Sequence, residues 1–445
     1  MINQDTYTVP CICPCPEISN HSPNISPLKV TVPGSKSITN RALLLATLSL
    51  GISTLRGVLF SDDSRHFLKC IQTLGFETTV DETNARITVR GMSGQIPLKE
   101  ASLYVGSAGT AARFLTACLG VSRGVYHMDA SEQMRRRPMS PLLNSLRELG
   151  CEISFQEEEG HFPFTLKSNG FGQNHITVNI DHSSQFLSAL LICSSLCKED
   201  FTIQAEGTHG MSYIRITGKM MEQFGVKTDC PAPNRFVIKT GQHYHARDYQ
   251  IEPDVSAACY YYAICPLLGI PVQVAHIHFN SLQGDVEFIR ILERLGCHAL
   301  DTPEGILLTP PDRKGYPGLT VDMSACSDQA ITLAALAPFA DGPTTITGIG
   351  HIRHQESDRI SAIATELGRL GIRCTEEETS LTIYPGTPGP GLIRTYEDHR
   401  MAMGFSLIGL RCEGIIIDNP DCCRKTFEHY FEVLENAIQD IKNML

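Results

Sequence analysis

The chain has 445 residues, of which 42% are apolar and 19% charged, with a formal net charge of −11 at pH 7. That length allows two or three domains, each with its own core, and the composition is ordinary for a globular protein. The acidic balance excludes the basic face a nucleic-acid partner needs, and no uncharged apolar run of about 18 residues occurs, so neither nucleic acid nor membrane is expected as a partner.

Residues 1–27 are rich in Pro, Ser and Asn and read as a loose tail. No charged-then-apolar leader is seen, and basic residues are too few for an organelle transit peptide. The 17 cysteines therefore read as reduced thiols of a cytoplasmic protein. Cys11-Ile-Cys13-Pro-Cys15 lacks the second ligand pair that structural zinc takes, so no metal is expected there. Cys422-Cys423 reads as two free thiols.

Next comes VPGSKS, Val32 to Ser37, directly before an apolar helix. Gly34-Ser35-Lys36-Ser37 looks like a phosphate loop but lacks the upstream glycine of a nucleotide-binding Walker A loop. A strand, a small polar cluster and an apolar helix recur six times: VTVPGSKSITNRALLL, LYVGSAGTAARFLTA, VNIDHSSQFLSALLI, YQIEPDVSAACYYYAI, LTVDMSACSDQAITLAAL and IRTYEDHRMAMGFSLI. Ser, Thr, Asp and Gly suit helix N-termini, and helices apolar nearly all round are expected to be buried. In phase with these, Gly75, Gly150, Gly225, Gly296 and Gly371 each follow a helix, at separations of 75, 75, 71 and 75 residues. Each glycine fits the left-handed position that closes a helix, and runs such as FETTV…ARITVRG and IRCTEEETSLTIYPG read as the hairpins that follow.

The last helix, TFEHYFEVLENAIQDI, reaches the C-terminus where a sixth hairpin is due, so the segment up to LKVTVPG is expected to supply the missing strand. Six units then divide into an α/β protein of two lobes. Residues 1–34 plus 252–445 form a discontinuous lobe carrying both termini, and 35–251 an inserted lobe. Helix N-termini attract anions, so buried helices aimed at a shared gap would gather negative substrates.

The segments PGSKSITNRALLLA, SDDSRH, GSAGTAAR, RRRPM, SSQFLSALL, QGD, ESDR, EDHRMAM and KTF, taken in this order, resemble the 5-enolpyruvylshikimate-3-phosphate synthase family from about Leu28 to Glu435. The resemblance implies two lobes of three βαβαββ units each, with helices inside and sheets outside. It implies transfer of enolpyruvate from phosphoenolpyruvate to shikimate 3-phosphate by addition and elimination, without a cofactor. It implies Lys36 as a catalytic group contacting both substrates, with Asp328 as base and Glu356 and Lys36 handling the methylene proton. For shikimate 3-phosphate it implies Ser37, Arg41, Ser183, Ser184, Gln185, Tyr213 and Asp328, with His351 and Gln355 at ligand positions. For phosphoenolpyruvate it implies Gly109, Arg137, Gln185, Arg359, Arg400 and Lys425. Arg135 and Arg136 read as a solvated basic patch. Asp358 reads as the residue that holds Arg359, and His399 as a core or supporting group. The chain is taken as a monomer whose lobes close on binding.

Four positions depart from the family's common pattern: Ser107, Gly210, His351 and Gln355 stand where Asn, Ser, Asn and Lys are usual. Two of them, Gly210 and Gln355, each remove a polar ligand group for shikimate 3-phosphate, worth roughly 1.5–3 kcal/mol when the ligand is charged. Two alternatives are a UDP-N-acetylglucosamine enolpyruvyl transferase and a non-catalytic anion-binding relative. The first has Lys-Asn where this chain has Lys36-Ser37, and a reactive cysteine near SEQMRRRPM, where none occurs here. Gly109 leaves room for the phosphonate of glyphosate, so competition with phosphoenolpyruvate is expected, and Gly109→Ala is expected to weaken it.

Overall fold

The computed structural model describes residues 2–3, 5–12, 26–207 and 210–444. The cluster formed with Cys13 and Cys15 lies outside them. The chain forms two compact units, Met1–Pro33 with Pro253–Leu445, and Gly34–Glu252. Among the described residues no helix is long and apolar enough to cross a membrane.

Among the described residues each unit contains three four-stranded sheets, and all six sheets share one strand order. A leading strand pairs in parallel with the strand after the first helix, and that strand pairs antiparallel with the second strand of a hairpin. In the inserted unit Glu100–Tyr104 runs parallel to Arg123–Asp129, which pairs antiparallel with Phe164–Asn169, and that with Glu152–Phe155. The first helices of the repeats, Lys36–Leu48, Gly109–Val121 and Gln185–Ser194, are buried over almost their whole length, as their unbroken apolar sequences require. The same holds for Val255–Leu268, Ala330–Leu336 and His399–Gly409 in the discontinuous unit.

The second helices close as the glycine spacing predicts. Gly75, Gly150, Gly225, Gly296 and Gly371 have φ of 91°, 101°, 103°, 101° and 82°. The residue after each glycine donates its N–H to a carbonyl five residues back, as in Phe76 to Ile71 and Ile372 to Leu367. That bond satisfies a carbonyl the helix end would otherwise leave bare, and a side chain at the glycine would strain the left-handed turn that permits it.

Two expectations are corrected at the chain crossings. The segment LKVTVPG does not complete the sixth sheet: Leu28–Val30 runs parallel to Val272–Val274 and opens the fourth. The sheet over the Lys36–Leu48 helix takes its leading strand from Asp248–Gln250, parallel to Leu50–Arg56. The strand before each crossing therefore belongs with the helix after the other one. The sixth sheet is completed from within the supposed loose tail, where Ile2–Asn3 and Thr6–Thr8 form a hairpin paired with Ile415–Asp418. Thr-Tyr-Thr-Val alternates as a strand should, with Tyr7 and Val9 buried, but three residues amid Pro and Cys carry little periodic signal. Tyr7 packs its ring 4.4 Å from that of Phe431. Tyr7→Ala is therefore expected to lower stability by about 3–5 kcal/mol, read as a shift of the urea midpoint followed by circular dichroism.

Candidate active site

In the inserted unit Lys36 begins its helix at the end of VPGS, and its Nζ lies 3.6 Å from Asp63 Oδ2. Asp63 is buried, and its other oxygen has no hydrogen-bond partner. Four residues on, Arg41 is also buried, with Nε donating to Thr217 Oγ1 at 2.8 Å, one terminal nitrogen to Ser37 O at 3.0 Å and the other to Tyr213 O at 3.3 Å. Its guanidinium sits over the Phe114 ring, 5.3 Å from the centroid. Burial pulls the Arg41 pKa down to about 10, partly offset by Tyr213. Ser37, Arg41 and Tyr213 are thus one braced group; Thr217, which completes it, carries no sequence signal.

Gln185 starts the third buried helix, where its N–H donates to Ser183 Oγ at 3.3 Å and its buried Oε1 has no hydrogen-bond partner. Gly210 precedes the Met211–Gln223 helix at φ +66°, and a Cβ there would come within 2.7 Å of Ser184 Cβ. The backbone turn and the packing on Ser184 together account for glycine at this departure from the family pattern.

The three arginines of RRRPM separate clearly. Arg135 pairs with Asp129 and Glu157, each at 2.8 Å, and Arg136 pairs with Glu132. Arg137 instead lies against Gly109: a Cβ on Gly109 would be 3.0 Å from one Arg137 nitrogen and 2.8 Å from one of Arg113. In the sequence Arg113 is one polar residue on an apolar helix, which carries no signal of a role.

In the discontinuous unit Arg359 is the centre. Its Nε and one terminal nitrogen donate to Asp398 at 2.8 and 3.2 Å, and its terminal nitrogens reach Asp328 Oδ1 at 3.0 Å and Glu356 Oε2 at 2.9 Å. Gln355 Oε1 also accepts from it, so this departure serves the arginine directly. Burial opposes the Arg359 charge, but Asp398, Glu356 and Asp328 outweigh it and leave the pKa raised. Two further cations join: Arg400 donates to Asp328 Oδ2 at 2.7 Å, and Lys425 Nζ lies 3.4 Å from Glu356 Oε1. Asp328, Glu356, Arg359, Arg400 and Lys425 are therefore brought together.

The expectation that Asp358 holds Arg359 is wrong. Asp358 caps its own helix, accepting from Ser361 N at 3.1 Å, and binds Arg353 at 2.9 Å. The holder is Asp398, fully buried, which also accepts from Arg400 N and Ser357 Oγ, each at 3.0 Å. His399 is buried beside it, and His351 Nε2 lies 2.8 Å from Ser327 Oγ.

Asp285, from the QGD segment, carries no signal of a role in the sequence. It is buried, with Oδ2 accepting from Ser256 Oγ at 2.8 Å. Burial, followed by the Asp328 carboxylate, pushes its pKa up to about 6, with Arg400 and Ser256 opposing. A folded pKa above the unfolded one gives stability that is present at low pH and lost as pH rises through the folded value. Asp285→Asn is expected to escape that loss, so its unfolding free energy from urea curves should gain on the natural protein by about 1–2 kcal/mol between pH 5 and pH 8. An unchanged gap would show that Asp285 does not titrate in this range.

The EPSP synthase (3-phosphoshikimate 1-carboxyvinyltransferase) family profile matches residues 25–434. A 3-phosphoshikimate 1-carboxyvinyltransferase of Trichormus variabilis is 43% identical over 403 residues, covering 90% of this chain and 94% of that protein. One from Neisseria gonorrhoeae is 38% identical over 421 residues, covering 94% and 97%. Among solved structures, EPSP synthase from Acinetobacter baumannii superposes with a TM-score of 0.78 at 23% identity, covering 98% of each chain. The enolpyruvyl transferase NikO from Streptomyces tendae gives 0.75 at 17%, again covering 98% of each, so the fold is shared. With ion-paired Asp328 and Glu356, the Lys36 segment and a match that spans nearly its whole length, this chain belongs to the EPSP synthase family.

Proposed function

We propose that the chain transfers the enolpyruvyl group of phosphoenolpyruvate to the 5-hydroxyl of shikimate 3-phosphate, releasing phosphate, as a cytoplasmic monomer of the shikimate pathway. The observation that carries this reading is the ion-paired group in which half-buried Asp328 and Glu356 share the buried Arg359, with Arg400 and Lys425 on their other oxygens. Addition–elimination needs an acid, a base and cations within a few ångströms of each other.

In addition, Asp328 accepts the proton of the attacking hydroxyl as its oxygen bonds to the central carbon of the enol. The methylene carbon gains a proton from Lys36 or Glu356, giving a tetrahedral ketal that bears the phosphate. In elimination the phosphate leaves with the electrons of its C–O bond, and the methyl carbon returns a proton to restore the double bond. Arg359 and Arg400 suit a carboxylate bound by paired hydrogen bonds, and Lys425 and Arg137 suit phosphate. Ser183, Ser184 and the Arg41 group take the phosphate and carboxylate of the acceptor; His351 and Gln355 complete that side. Apart from substrates no partner or cofactor enters the reading.

A phosphate-release assay tests it. Release is expected with phosphoenolpyruvate and shikimate 3-phosphate together and with neither alone. Release with UDP-N-acetylglucosamine in place of shikimate 3-phosphate, or none with either acceptor, would overturn the reading.

A further inference from the structure

We propose that Arg113 is the positioning residue for Arg137, fixing it against Gly109 so that the donor's phosphate meets a preset guanidinium. The inference rests on the reading of Gly109 and Arg137 as donor-binding residues. Arg113 is buried on the second helix of the inserted unit's buried set, where a cation is costly unless it does something specific.

Its terminal nitrogens engage backbone and sulfur. One terminal nitrogen donates to Gly109 O at 3.2 Å and lies 3.5 Å from Met134 Sδ; the other donates to Pro138 O at 3.4 Å. The plane sits over Phe186, 5.7 Å from the ring centroid. Arg113 thus ties the helix start at Gly109 to both sides of Arg137, at Met134 and Pro138. The Arg137 N–H, in turn, donates to Met134 O at 3.1 Å. Arg135 and Arg136 form exposed or half-exposed ion pairs on the same turn, and Arg135 Nε also donates to Ala130 O at 3.3 Å.

Two guanidinium groups also converge on one glycine, which places like charges side by side. An anion bound between them would offset that repulsion. The convergence gives a second reason for glycine at 109: a methyl group would push on both arginines as well as on the ligand.

The test is a double-mutant cycle in the full-length enzyme, with Arg113→Met, Arg137→Ala and the pair, reading KM for each substrate and Ki for inorganic phosphate. Arg113→Met is expected to raise KM for phosphoenolpyruvate and Ki for phosphate at least tenfold and to leave KM for shikimate 3-phosphate within twofold. Added to Arg137→Ala, it should change neither further. Arg113→Lys, which can reach one carbonyl but not span both, should fall between, and serves if the methionine variant does not fold. A raised donor KM in Arg137→Ala with an unaltered one in Arg113→Met overturns the proposal alone. Equal loss for both substrates, or full additivity, also overturns it, since that is what general loosening would give. An Arg137→Ala enzyme with unaltered donor KM overturns the donor-site reading and the proposal with it.

Discussion

Arg359→Met is expected to lower phosphate release by about a thousandfold and to destabilise the protein by about 3–5 kcal/mol. Three carboxylates depend on this guanidinium, and one of them, Asp398, is fully buried. Losing one partner of a buried pair leaves an uncompensated charge, which costs far more than the pair itself contributes. Arg400 and Lys425 still face Asp328 and Glu356, but neither makes a side-chain contact with Asp398 that replaces the Arg359 fork. Arg359→Lys should not rescue either quantity, because one ammonium cannot serve three acceptors in the plane a guanidinium provides. Urea unfolding by circular dichroism and the phosphate assay read the two effects; a methionine variant of natural stability would mean that the carboxylates are not held as charged groups.

What was legible in the sequence was what local chemistry imposes. The five glycine closures could be placed because a left-handed helix end admits few other residues, and their even spacing exposed the repeat. Burial of the six inner helices followed from runs with no polar face. The crossings were not legible: LKV and YQI each precede a polar cluster and a helix, and nothing in either sequence says that each strand joins the sheet over the helix that follows the other crossing. Among site residues, types were easier to read than partnerships. Asp358 adjoins Arg359 in sequence and was paired with it, yet a helix N-cap has its own claim on that carboxylate. The true partner, Asp398, is 39 positions away and sits at the start of another helix. Gly210 looked like a lost ligand, but its conformation and its contact with Ser184 show a backbone reason for glycine.

The segment VPGSKS makes the second large prediction. Lys36→Met is expected to lower kcat by about a thousandfold, since under the proposed mechanism the reaction then lacks a cation and a proton donor. The fold should weaken only modestly, by about 1–3 kcal/mol, through the buried Asp63 carboxylate left facing a thioether. Gly34→Ala should imitate much of the kinetic loss with Lys36 intact. A Cβ on Gly34 would intrude on the Gly57 carbonyl and lie 3.3 Å from Ile251 Cγ2, so the backbone has to move. Ser35 N, next in the chain, donates to Glu252 O at 2.8 Å and would move with it. A displacement of about 1 Å at the lysine is enough to cost roughly a hundredfold. If position is the whole effect, Gly34→Ala combined with Lys36→Met should be no slower than Lys36→Met alone. A further hundredfold drop in the double variant would show that Gly34 acts on catalysis by a route other than Lys36.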